Sequence, residues 1–78
     1  MDFQVKMPRL GEEMKKGSVV EWLKKEGDTI SEKDILFVVD TEKATLEVEA
    51  GVKGTLKKIL VETGVETPVG QPIAIVEN

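Results

Sequence analysis

Cysteine and histidine are both absent from the 78 residues, and these two absences exclude more chemistry than any single residue present suggests. Without cysteine there is no disulfide to staple a small fold and no thiolate to bind a metal. Without histidine the chain also lacks the usual partner of a nucleophilic serine, the commonest zinc ligand and the side chain best suited to proton transfer near neutrality. A self-contained catalyst is therefore not expected. Aromatic residues are scarce as well: Phe3, Trp22 and Phe37 are scattered along the chain. With 11 basic residues against 15 acidic ones and a net charge of -4, that scarcity disfavours a nucleic-acid surface and leaves an acidic face for a basic protein partner as the alternative. No apolar run approaches the roughly 20 residues needed to cross a bilayer. The start Met1-Asp2-Phe3-Gln4 has neither the basic nor the apolar region of a signal peptide. The expectation is a soluble protein in a reducing compartment, away from membranes.

What is present is a repeat. Gly17-Ser18-Val19-Val20-Glu21-Trp22-Leu23 lies over Gly54-Thr55-Leu56-Lys57-Lys58-Ile59-Leu60 at an offset of 37 residues. Carried on without gaps, the offset sets Gly27 on Gly64, Leu36 on Ile73, Val38 on Ile75, Val39 on Val76 and Asp40 on Glu77. Two copies are too few for a solenoid, so the repeat predicts two interlocking halves around one core. A chain this short hides only about 60% of its unfolded surface, and residues 1–78 are read as one domain with a small, closely packed core.

The period of that core is two. Phe3–Met7 alternates and is stopped by Pro8, which has no amide hydrogen for a ladder. Ser18–Leu23, Ile35–Val39, Ala44–Glu49, Gly54–Leu60 and Ile73–Val76 read as further strands, with charged or glycine-bearing turns between them. Glu12 to Lys25, the best helical candidate, is broken by Gly17 and the β-branched pair Val19-Val20. The class is therefore all-β, a sandwich or flattened barrel. Trp22-Leu23 and Ile59-Leu60 interrupt the alternation at equivalent places; a bulge, or a strand passing between sheets, would bury both members of each pair. Trp22 is expected in the core. Leu10, in the charged loop Arg9–Gly17, either tucks under that loop or is held out for a partner.

Between the apolar run Ile35–Val39 and the alternating run Ala44–Glu49 stands Asp40-Thr41-Glu42-Lys43-Ala44. A short polar link between two strands is a hairpin. It contains no Gly, Asn or Pro, so a type I turn with Glu42 and Lys43 at its centre fits better than one needing positive φ. Lys43 would then project from a stiff tip into water. The repeat places the two termini together at the opposite end, because Val76-Glu77 occupies the place that Val39-Asp40 holds in the first half.

A resemblance covers nearly the whole chain. Met7-Pro8-Arg9-Leu10-Gly11-Glu12, Met14, Gly17, Trp22–Asp28, Asp40-Thr41-Glu42-Lys43-Ala44, Gly54, Lys58–Val61, Pro68-Val69-Gly70 and Pro72-Ile73-Ala74 together resemble the lipoyl domain of the dihydrolipoamide acyltransferases of 2-oxo acid dehydrogenase complexes. The family tip commonly reads Glu-Thr-Asp-Lys-Ala, so Asp40 and Glu42 exchange the two acids and keep both charges. Where the family often has Gly-Asp, this chain has Lys33-Asp34.

The resemblance implies a flattened barrel or sandwich of two four-stranded antiparallel sheets with quasi-twofold symmetry. It also implies lipoic acid joined by an amide to the ε-nitrogen of Lys43, which removes the lysine charge and adds a flexible arm. The dithiolane ring cannot reach the dihedral near 90° of a relaxed disulfide, so its S–S bond opens readily. The implied partners are a lipoate ligase or lipoyl transferase, a thiamine-diphosphate-dependent decarboxylase, the acyltransferase core and dihydrolipoyl dehydrogenase; the isolated domain would be monomeric. Asp40, Thr41, Glu42 and Ala44 would serve presentation and recognition, joined by the loop residues Leu10, Gly11 and Glu12. The implied location is the bacterial or archaeal cytoplasm, or the mitochondrial matrix of a eukaryote. A biotin carrier shares the fold and the hairpin lysine but usually places Met on both sides of it, unlike Glu42 and Ala44. An unmodified docking domain is the third reading.

Overall fold

The computed structural model describes residues 1–41 and 43–78, and among these every regular element is a strand. The strands are β1 (Asp2–Lys6), β2 (Lys16–Trp22), β3 (Thr29–Ile30), β4 (Ile35–Asp40), β5 (Thr45–Glu49), β6 (Gly54–Ile59), β7 (Glu66–Pro68) and β8 (Pro72–Glu77). They form two four-stranded sheets in the orders β1-β8-β6-β3 and β5-β4-β2-β7, and every pairing is antiparallel. The first strand starts one residue earlier than the alternation suggested and gives way before Met7, which is buried. β3 and β7 were not legible as strands: two and three residues are too few to show a period, and β7 ends on a proline.

The offset of 37 residues carries β4 onto β8 end to end, β3 into β7 and most of β2 onto β6. It carries the irregularities too. The β2–β4 register skips Val20 and the β6–β8 register skips Lys57. On the partner strands, the β4–β5 register skips Leu36 and the β8–β1 register skips Ile73. These bulges decide what is buried. After the skip at Val20, Glu21 stays outside and Trp22 turns inward, so Leu23 turns out again and is 41% exposed; Leu60 repeats this after Lys57. The expectation that both members of Trp22-Leu23 and Ile59-Leu60 would be buried is thus corrected, because the bulge lies upstream of each pair. Two adjacent residues do enter the core on the partner strands, where Leu36-Phe37 and Ile73-Ala74 are fully buried.

Trp22 is half-buried at the margin of the core, its ring centroid 5.2 Å from that of Phe37, and its indole N–H donates to Val61 O at 3.3 Å. The indole packs its apolar face on the core while its polar edge takes a backbone carbonyl at the rim.

The termini meet as the repeat requires. Asn78 N–H donates to Met1 O at 3.0 Å, and the Met1 ammonium to Asn78 O at 2.8 Å. Beside them Lys57 bridges Asp2 at 3.1 Å and Glu77 at 3.4 Å. The hydrogen bond to Asp2, and then the attraction of both carboxylates, raise the Lys57 pKa above the ordinary lysine value; the site is exposed, so this contributes little to stability. β1 leads from this seam to the far end of the sandwich. There Met7 N–H donates to Gln71 O at 2.9 Å, and the Met7 sulfur lies with Val39 around Gly17. Val39 is one residue from Asp40, so the hairpin tip and the seam occupy opposite ends.

Gly17 and Gly54 are repeat equivalents, yet they tolerate a side chain differently. An alanine Cβ at Gly17 would first meet the mobile Cε of Met14 at 2.7 Å. At Gly54, with φ at 152°, it would run into the carbonyl oxygen of Glu77, which is backbone and cannot swing away. Gly54→Ala is expected to cost about 2–4 kcal/mol in a urea titration, clearly more than Gly17→Ala. Equal losses would contradict the clash assigned to Glu77.

Candidate functional site

The hairpin that carries Lys43 is built by β4 and β5, whose ladder runs Val39↔Leu46 and Asp40↔Thr45 to the tip. The last pair is tied across the outer face, where Thr45 Oγ1 donates to Asp40 Oδ1 at 3.4 Å. Beyond it Thr41 N–H donates to Ala44 O at 2.8 Å, closing the ladder. The Thr41 hydroxyl completes the turn. It donates to Ala44 O at 3.0 Å and accepts the N–H groups of Ala44 at 3.1 Å and Lys43 at 3.3 Å. Lys43 is exposed, and among the described residues its ammonium has no ion-pair partner. No non-glycine residue among those described, Lys43 included, has positive φ. The turn's type depends on Glu42, which lies outside the described residues, as does its expected recognition role.

The second group of candidates is on the loop between β1 and β2. Arg9 folds over this loop: Nη2 donates to Glu12 O and Nε to Gly11 O at 3.4 Å. Met14 N–H donates to Gly11 O at 3.1 Å, while the Met14 sulfur accepts Leu10 N–H at 3.3 Å. Leu10 is 39% exposed, so it stands out from its loop rather than tucking under it.

Asp40, Thr41, Lys43 and Ala44 are thus brought together at the tip, and Leu10, Gly11 and Glu12 are held on a loop at the same end. What joins the two is Met14. Its methyl group packs beside Gly17, which is also flanked by Val39 at the base of the hairpin. Among the described residues no hydrogen bond or ion pair runs directly from loop to hairpin. Nothing in the residue pattern marked Arg9 or Met14 as supports. Thr41 did leave a signal, a hydroxyl residue opening a turn whose later amides need acceptors.

The chemistry open to this end is that of an exposed primary amine on a backbone-fixed turn. Among the described residues there is no cluster of three acids able to hold a metal, and no helix is long and apolar enough to cross a membrane.

Comparison with known proteins agrees with this geometry. The family model described as "Biotin-requiring enzyme", the biotin/lipoyl model, matches residues 3–76. The chain is 42% identical over 76 residues, 96% of its length, to the pyruvate dehydrogenase E1 component subunit beta of Rhizobium meliloti (strain 1021), covering 16% of that protein. It is 42% identical, again over 96% of its length, to the dihydrolipoyllysine-residue acetyltransferase component of the pyruvate dehydrogenase complex of Rickettsia bellii (strain RML369-C), covering 18% of it. The same component from Staphylococcus aureus (strain N315) is 36% identical over 99% of the chain, which again spans 18% of the relative. The chain therefore spans less than a fifth of the length of the relatives it matches. It belongs to the biotin/lipoyl family, as a non-catalytic carrier domain, and the members of that family bear a covalently attached cofactor.

Proposed function

We propose that Lys43 is the attachment point of lipoic acid, and that the domain is a swinging-arm carrier of acyl groups and reducing equivalents in a 2-oxo acid dehydrogenase complex. The observation that carries this reading is the exposed amine of Lys43 on a turn tied to Thr41. An enzyme that acylates the amine needs it accessible and presented in a constant direction; both conditions fit the group. Lipoate is favoured over biotin by the relatives' membership of pyruvate dehydrogenase complexes and by the flanks Glu42 and Ala44.

When bound, lipoic acid supplies a strained disulfide that takes up two electrons and an acyl group. The chain's own residues do the rest of the work of a carrier. The two sheets hold the tip away from the core, so partners approach the arm without displacing packed side chains. Asp40 pairs with Thr45 at the base of the turn, and Ala44 follows the lysine directly. Leu10, Gly11 and Glu12 offer a second contact strip beside the tip, which a decarboxylase would read together with the hairpin. Tethering keeps the carried group at a high effective concentration near each active site. The proposed partners are a lipoate ligase or lipoyl transferase, a thiamine-diphosphate decarboxylase, the acyltransferase core and dihydrolipoyl dehydrogenase, with the isolated domain monomeric.

Incubation with lipoate ligase, lipoate and ATP is expected to add one lipoyl increment to the intact mass of wild type and none to Lys43→Arg. Peptide mapping should place the increment on Lys43. Reductive acylation by decarboxylases specific for different oxo acids would then identify the parent complex. Modification at another lysine, or loading by a biotin ligase in place of lipoate ligase, would refute the proposal.

A further inference from the structure

We propose that Thr41 is a positioning residue: its hydroxyl fixes the backbone of Lys43 and Ala44 and so sets the direction in which the amine leaves the hairpin. The inference rests on the reading of Lys43 as the modified residue, and it gives Thr41 a role within the hairpin in place of contact with a partner.

A hydroxyl offers one donor and two acceptor lone pairs, and here all three are engaged within one turn. The proton goes to Ala44 O, and the lone pairs receive the amides of Ala44 and Lys43. Water could satisfy the same amides, but a mobile solvent molecule would not hold the Lys43 Cα–Cβ bond in one direction. Few side chains could replace the hydroxyl. An ionised carboxylate accepts but cannot donate to Ala44 O, and valine copies the shape of threonine while offering neither function.

The repeat supplies an internal comparison. The position equivalent to Thr41 is Asn78, whose N–H makes the matching ladder bond to Met1 O at 3.0 Å. The hydroxyl stands only in the half that bears the exposed amine.

The test compares wild type with Thr41→Val and Thr41→Ser in three measurements: hydrogen exchange of the Lys43 and Ala44 amides, lipoate ligase kinetics followed by intact mass, and the thermal midpoint. For Thr41→Val, exchange is expected to rise about five- to tenfold and ligase kcat/KM to fall by about tenfold, whereas Thr41→Ser stays within about twofold of wild type in both. The thermal midpoint of Thr41→Val should fall by only a few degrees, because the turn lies outside the core. Wild-type ligase kinetics in Thr41→Val, unchanged exchange, or a serine variant as poor as valine would each overturn the positioning role. A wild-type domain that takes no lipoyl group would overturn the attachment reading itself, and this proposal with it. Modification that proceeds equally in wild type and Thr41→Val defeats the positioning role alone.

Discussion

Moving the amine one place along the chain, by combining Lys43→Ala with Ala44→Lys, is expected to lower lipoylation by about a hundredfold or more while leaving the thermal midpoint unchanged. Composition, charge and exposure of the tip are nearly preserved in this variant, so direction is the property that changes. Thr45 lies opposite Asp40 on the outer face of its sheet. Side chains alternate along a strand, which turns position 44 toward the opposite side, that of Leu46 and Val48. A lysine there leaves the hairpin along the sandwich rather than away from it. Intact-mass kinetics with lipoate ligase measure the loss. A transposed variant modified at the wild-type rate would show that any accessible lysine near the tip suffices, which would remove the reason for a fixed turn.

The largest expected effect on stability is at Phe37. It is fully buried, stacked at a tilt of 46° on Trp22 and opposite Val48 on the neighbouring strand. Phe37→Ala is expected to cost about 3–5 kcal/mol. A chain of this length has a total stability of only about 4–12 kcal/mol, so the variant should be largely unfolded at moderate urea concentration and close to unfolding in its absence. The contrast is Phe3→Ala, at a side chain 46% exposed on an edge strand, where about 1 kcal/mol is expected because roughly half of the ring is already in water. Equilibrium urea titrations with matched slopes report both. Comparable losses at the two positions would mean that the core is not closed around Phe37.

Both predictions rest on features that the chain displays with unequal clarity. Six strands, their class and the duplication were legible, because alternation and the 37-residue offset are local or translational signals that need no partner to be read. β3 and β7 were not, since strands of two and three residues owe their conformation to the neighbours that pair with them. The adjacent apolar pairs show the same division. A disturbance in the alternation was visible at Trp22-Leu23, but the extra residue was accommodated upstream at Val20, and it was Leu36-Phe37 that entered the core together. A bulge is a property of two paired strands, and one strand's sequence records only that the alternation fails.

The site divides in the same way. Pattern alone determined that a hairpin would join β4 to β5 with Lys43 near its end, at the hinge of the repeat. Only the folded chain decided that the Thr41 hydroxyl closes the turn, that Arg9 and Met14 hold the Leu10–Glu12 loop, and that Gly17 lets this loop settle beside Val39. The physical reason is one of range. Strand periodicity and turn composition act over a few residues, whereas hydrogen bonds and packing between separate segments exist only once long-range pairing has brought those segments together.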